Sequence, residues 1–201
     1  MLIRRGDFGR VSFGLEKDSE PCIGLRMNSN DDTLIPVWRD GTLVPFGKLE
    51  AHRLGLRHKA VSVFLLSPRG VLLQQRASGK YHTPDLWANT CCTHPHWDEA
   101  PEACAHRRLA EELGIENVGL EWREQVEYRA DVGGGLTEHE VVDIFVGHVD
   151  DASPLALNKD EVQATRWVSR ARLEAEIAAA PQIFTPWLKI YLADHERAIF
   201  G

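Results

Sequence analysis

Pro101 and Gly114 bracket the run EACAHRRLAEEL, and together they leave that stretch little choice but a helix. Proline belongs in the first turn, where no backbone N–H is needed, and glycine just past the end. Glu111 and Glu112 admit two readings at this point. Carboxylates along a helix can hold Mg²⁺, a hard cation that binds oxygen and bridges to phosphate. An amphipathic helix with a solvated acidic face uses the same letters. The helix alone leaves both open.

Around it the pattern is that of a sheet. Thr33–Trp38 and Ala60–Leu66 (AVSVFLL) are rich in β-branched and apolar residues and predict strands. Ser67-Pro68-Arg69-Gly70 supplies turn chemistry, so Val71–Arg76 is expected to return as the second arm of a hairpin. Glu121–Ala130 and Glu140–Val149 predict strands flanking a Gly133-Gly134-Gly135 loop, and Gln163–Val168 a further strand. Helices are expected from Arg170 to Ala179 and from Pro186 to Ile199. With no repeat and no second domain, the expectation is a mixed α/β sheet with helices packed over it, one domain spanning 33–201. Residues 1–32 have weak periodicity and predict a flexible N-terminal extension, with Met27 as an alternative start.

Charge and cysteine usage narrow the function. A net charge of -7 without a basic block argues against nucleic acid as partner. No apolar run approaches a membrane span, and no apolar stretch follows the N-terminal arginines, so neither a membrane protein nor a secretory signal is expected. Cys91 and Cys92 are adjacent, and adjacent cysteines are poor disulfide partners. Reduced thiols, and hence the cytoplasm, are expected.

Four constellations bear on chemistry. In T93-H94-P95-H96-W97-D98-E99 followed by R107-R108-L109-A110-E111-E112-L113-G114-I115, the positions of Glu99, Arg107, Leu109, Glu111, Glu112, Gly114 and Ile115 resemble the Nudix box, G-x5-E-x7-R-E-U-x-E-E-x-G-U. Thr93 stands for its glycine and Arg108 for the glutamate after Arg107. That glutamate is one of the metal-binding carboxylates of Nudix hydrolases. Its replacement by arginine removes a ligand and adds a phosphate-binding cation, which argues against diphosphate hydrolysis. The resemblance implies an α/β (α+β mixed) fold, a Nudix-like α/β/α sandwich around a mixed central sheet.

W87-A88-N89-T90-C91-C92-T93-H94-P95 resembles the segment around the catalytic cysteine of type I isopentenyl-diphosphate isomerases, with Cys92 at that cysteine's place. In extended backbone Cys92 and His94 share a face and Cys91 takes the other. Cys22, Cys91 and Cys104 are expected to be small buried hydrophobes. In L136-T137-E138-H139-E140-V141 a strand would turn both carboxylates to one side, although Glu-x-Glu alone more often marks a solvent face. In K48-L49-E50-A51-H52-R53-L54-G55-L56-R57-H58 the two histidines fall where the isomerase family binds a divalent metal.

Membership of that family would imply a His3Glu2 site of His52, His58, His94, Glu138 and Glu140. Three imidazoles with two carboxylates suit Mn²⁺ or Zn²⁺ better than Mg²⁺. A Mg²⁺ ion would be held by Glu112, the substrate diphosphate and the main-chain oxygen of Cys92. Lys48, Arg76, Lys80 and Arg108 would grip the diphosphate, while Tyr128 and Trp187 would line a hydrocarbon pocket. The implied reaction is the reversible 1,3-allylic proton shift from isopentenyl to dimethylallyl diphosphate, with Cys92 and Glu140 on opposite faces of the alkene. Glu140 would deliver or relay the proton and Cys92, as thiolate, would take one from C2. The expected partner is a small isoprenoid diphosphate, and the expected state a monomer or weak homo-oligomer. The alternatives are a Nudix hydrolase of an organic diphosphate, and a non-catalytic diphosphate-sensing module.

Overall fold

In the computed structural model, which describes residues 33–150 and 154–201, the first apolar run folds back on itself. β1 (Leu34–Arg39) turns through Asp40 and Gly41 and returns as β2 (Thr42–Gly47). Both turn residues have positive φ, 50° and 79°, as a two-residue type I′ hairpin requires. Next come α1 (Lys48–Leu54), β3 (Arg57–Ser67), β4 (Gly70–Arg76), β5 (Trp87–Ala88), β6 (Cys91–Thr93) and α2 (Pro101–Leu113). A long hairpin follows, β7 (Leu120–Gly133) and β8 (Leu136–His148), then β9 (Val162–Val168), α3 (Arg170–Ala179), α4 (Pro186–Asp194) and α5 (Glu196–Phe200).

β3 is the spine of the mixed sheet. Along one edge it pairs in parallel with β8, from Arg57↔His139 to Leu66↔His148. Along the other it meets β1 at His58, β6 from Val61 to Val63, and β4 at Leu66 and Ser67, all antiparallel. β7 extends the sheet beyond β8, and β9 and β5 flank β4.

Alternation on β3 divides the interior. Val61, Val63 and Leu65 face α2, joining Cys91, Cys104, Ala105, Leu109 and Leu113. Ala60 and Phe64 face the opposite layer, where Leu173 of α3, Trp187, Leu188 and Tyr191 of α4 and Ile199 of α5 close the core. The α/β/α sandwich thus follows from period-two patterning on one strand and period-3.6 patterning on α2. Burying each fully covered aliphatic such as Leu109 stabilises the fold by about 1.5–3 kcal/mol. α2 ends where expected: Gly114 is left-handed (φ 68°), and a Cβ there would lie 2.6 Å from that of Ala156.

Some expectations need correction. β2, α1, β5 and β6 are additional elements. Pro45 sits in β2, at the sheet's outer edge where a missing N–H is tolerated. The terminal helix is interrupted: His195 leaves helical geometry (φ -128°, ψ 18°), and its Nδ1 lies 2.9 Å from Glu124 Oε1 on β7. The N-terminal extension and the alternative start at Met27 lie outside the described residues. No helix among the described residues is long and apolar enough to cross a membrane.

Candidate active site and metal centre

The β3–β8 register sets His58 opposite Glu140, and the β7–β8 register sets Tyr128 opposite Glu140 and Ala130 opposite Glu138. α1 brings His52 over this point, and the chain leaving β6 brings His94. All five proposed ligands are buried: His52 and His58 completely, His94 at 9%, Glu138 at 2% and Glu140 at 1% exposure.

The two histidines nearest the β3 start are oriented by backbone carbonyls. His52 Nδ1 donates to Lys48 O (2.7 Å) and His58 Nδ1 to Leu56 O (2.6 Å). A carbonyl can only accept, so each ring keeps its proton on Nδ1 and turns a bare Nε2 inward. Neither Nε2 has a hydrogen-bond partner, and His94 Nδ1 has none either. His94 Nε2 lies 2.8 Å from Glu140 Oε1, whereas His58 Nε2 is 3.6 Å from that oxygen. One donor atom each from His52, His58, His94 and Glu140 falls within 4.8 Å of the others. Orphaned imidazole nitrogens converging on a carboxylate fit a divalent cation. Glu138 stands apart from this quartet and converges instead with His52 and His82.

Electrostatics support ligand-ready forms. Burial, reinforced by His58, lowers His52 to about 4. Burial also holds His82 and His94 well below the usual histidine range, in each case with cationic neighbours adding to it. Burial pushes both carboxylates up, but the imidazoles of His58 and His94 outweigh it at Glu140, which is held well below the usual range. Glu138 rises well above that range through burial and the charge of Glu140. The Tyr128 hydroxyl braces the pair, reaching Glu138 Oε2 at 3.0 Å and Glu140 Oε2 at 2.6 Å.

Cys91 and Cys92 separate as alternation on β6 predicts. Cys91 is fully buried against α2, while half-buried Cys92 faces the cleft. Cys92 Sγ lies 3.2 Å from Ser62 Oγ, which is 2.9 Å from the Tyr191 hydroxyl. Burial, with Glu140 and Glu138 beside it, raises Cys92 well above the usual thiol range. Asn89 secures the segment, donating to Val63 O (3.1 Å) and Cys91 O (2.8 Å) and accepting from Trp187 Nε1 at 3.2 Å.

Lys48, Arg76, Lys80 and Arg108 line the same cleft as Cys92, His94, Glu138, Glu140 and Trp187. Glu161 ties two of them together, 2.5 Å from Lys80 and 3.3 Å from Arg108. Burial would raise Glu161, but Lys80 and Arg108 bring it down to about 2. Arg108 also reaches Glu112 Oε1 (2.5 Å), whose Oε2 accepts from Gln74 Nε2 at 3.1 Å. Both Glu112 oxygens are therefore engaged, and Glu112 belongs to neither ligand group. Arg76 donates to His82 O and Thr83 O, both at 3.1 Å, and its guanidinium sits 5.3 Å from the Trp187 ring centre. Trp187 is a cleft wall, whereas Tyr128 lies behind the carboxylates. Of the other box residues, Glu99 and Arg107 form a two-pronged pair at 2.7 and 2.8 Å that locks the loop before α2.

The open volume at this cleft is about 20 Å³, room for about one water. A larger cavity of about 360 Å³ lies by Ile115, Val118 and Trp167, but neither ligand group is there. His82, Glu161, Ser62, Tyr191 and Asn89 are site residues that sequence reasoning missed. Only His82 and Asn89 left a signal, since they adjoin the Lys80 and Cys92 motifs.

The NUDIX domain family matches residues 56–188. Over 168 residues the chain is 59% identical to the isopentenyl-diphosphate Delta-isomerase of Cereibacter sphaeroides strain ATCC 17025, covering 84% of this chain and 95% of that one. The Jannaschia sp. strain CCS1 enzyme of the same name is 60% identical over 166 residues, 83% of this chain and 94% of that one. Among solved structures, DR0079 from Deinococcus radiodurans superposes with a TM-score of 0.64 at 15% identity, over 84% of this chain and 99% of that one. A MutT NUDIX hydrolase from Burkholderia pseudomallei gives 0.54 at 21% identity, over 69% and 98%. At such identities these two bear on the fold alone.

Proposed function

The chain belongs to the isopentenyl-diphosphate Delta-isomerase family and is an isomerase built on a NUDIX domain, and we propose that Cys92 and Glu140 carry its proton transfers. The observation that carries this reading is a single cleft uniting Cys92, His94, Glu138, Glu140 and four cations, with Arg108 where a hydrolase would have a carboxylate.

Converting isopentenyl to dimethylallyl diphosphate adds a proton at the terminal carbon, leaves a tertiary cation at C3 and removes a proton from C2. An acid is needed on one face and a base on the other. Glu140 delivers or relays the first proton, with the Tyr128 hydroxyl 2.6 Å away as its nearest proton-bearing neighbour. Cys92 takes the second. A thiol at Cys92 beside a carboxylate at Glu140 is the distribution left after a forward turnover, and the reverse turnover starts from it. Trp187 turns an aromatic wall to the cation, worth about 2 kcal/mol or more to a desolvated charge, without a basic atom to trap it.

His52, His58, His94, Glu138 and Glu140 would hold one divalent cation, Mn²⁺ or Zn²⁺ by the donor set, whose charge compensates the two buried carboxylates. Glu112, the substrate diphosphate and the main-chain oxygen of Cys92 would hold Mg²⁺. Lys48, Arg76, Lys80 and Arg108 grip the diphosphate. Arg108, which holds Glu112 here, would turn to the phosphate oxygens and leave Glu112 available to Mg²⁺. Diphosphate binding positions the alkene and takes no part in bond breaking. The reading includes one domain over residues 33–201, acting as a monomer or weak homo-oligomer in the cytoplasm. Cys91, Cys92 and Cys104, all free thiols, are consistent with a reducing compartment.

The test is NMR of isopentenyl diphosphate incubated with the protein and Mg²⁺ in D₂O. Deuterium entering the isoprenyl carbons with the diphosphate intact is expected. Phosphate release without exchange would replace the isomerase reading with a hydrolase.

A further inference from the structure

His82 lies in the loop between β4 and β5, yet it is only 6% exposed. Its Nε2 is 3.7 Å from Glu138 Oε1, too long for a hydrogen bond and compatible with a cation held between them. Its ring lies within 24° of parallel to that of His52, centres 5.7 Å apart. Donor atoms of His52, His82 and Glu138 fall within 4.8 Å of one another, and His52 Nε2 is buried without a partner.

The loop is built to hold this pose. Arg76 clamps the carbonyls of His82 and Thr83, Thr83 adopts a positive φ of 45°, and His82 Nδ1 is 3.0 Å from Thr83 Oγ1. Trp187 and Tyr81 meet the ring edge-on at 6.0 and 4.4 Å. The Thr83 hydroxyl on one ring nitrogen turns the other toward the site, the arrangement typical of ligand histidines. Glu138 is oriented in the same way, with Oε2 on Tyr128 and Oε1 toward His82.

We propose that His82 is a metal ligand, so that the centre draws on four imidazoles and two carboxylates, with Glu138 joined to His52 through the His82 side. The inference rests on the metal-site reading above. It makes the centre richer in nitrogen donors, and so more selective for a transition metal over Mg²⁺.

Co²⁺ binding to the full chain, without substrate, tests it by visible absorption and by competition with a chelator. His82→Phe keeps an aromatic ring against Trp187, His82→Gln keeps a polar group of similar reach, and His52→Ala and exposed His139→Ala serve as references. Both His82 variants should bind Co²⁺ about 10–100-fold more weakly with altered ligand-field bands, while His139→Ala binds as wild type. Should His82→Phe or, if that variant misfolds, His82→Gln bind with unchanged affinity and spectrum while His52→Ala fails, His82 is no ligand and this inference falls alone. If His52→Ala also binds normally, the metal-site reading itself falls.

Discussion

Raising the pH should switch off diphosphate capture through Lys48. Burial, with Lys80, Arg108 and Arg76 close by and Glu161 only partly compensating, lowers Lys48 to about 8. The amine is charged below that value and neutral above it. At about pH 9, one unit higher, about a tenth of the free protein keeps the charge. A hydrogen bond to a charged group contributes about 1.5–3 kcal/mol, about 10–100-fold in kcat/KM. The profile of kcat/KM should therefore fall about tenfold per pH unit above about 8 and level off about 10–100-fold down. In the profile of kcat alone the limb should move to higher pH, because bound diphosphate stabilises the protonated amine. Lys48→Arg keeps its charge throughout and retains the main-chain carbonyl that orients His52, so its limb should vanish. Glu161→Gln removes a group that raises Lys48 and should shift the limb to lower pH. A wild-type profile flat to about pH 9.5, or an unchanged limb in Lys48→Arg, would refute the reasoning.

Cys92→Ala should abolish deuterium exchange, whereas Cys91→Ala should retain most turnover and lose about 1 kcal/mol of stability by thinning the α2 interface; equal losses of turnover would undo the assignment. Tyr128→Phe takes one hydroxyl from two buried carboxylates, so chemical denaturation should register a loss of about 1–3 kcal/mol. Removing divalent metal with a chelator should lower Tm and restoring it should reverse the change, by about 2.7 kcal/mol at a hundredfold excess over Kd; a metal-independent Tm would remove the cation from the His–Glu cluster.

Much of the fold was legible where pattern and local chemistry agree. Pro101 and Gly114 mark the ends of α2, and the β-branched, apolar run AVSVFLL made β3 evident. β2 and α1 escaped notice because LVPFG carries a proline and KLEAHRL is too short to declare a period; contacts with β1 and β8 hold them. In the site, strand alternation distinguished Cys92 from Cys91, although β6 is only three residues long. The histidine and glutamate ligands came from family resemblance, since single histidines have no local signature. Ser62, 30 residues before Cys92, and Tyr191, 129 residues beyond Ser62, could not be linked to Cys92 from sequence. Glu161 resembled any surface carboxylate until its two cationic neighbours were in place.

The parallel ladder between β3 and β8 bears on when, during biosynthesis, the His–Glu cluster could take up a cation. His52, His58 and His94 leave the ribosome well before Glu138 and Glu140, and a parallel pair needs its long intervening crossover first. Non-local pairing of this kind forms late. A nascent chain ending after α2 presents imidazoles without their carboxylate partners, a poor competitor for any ion. A cation at the His–Glu cluster would therefore be taken up only once the ladder has closed.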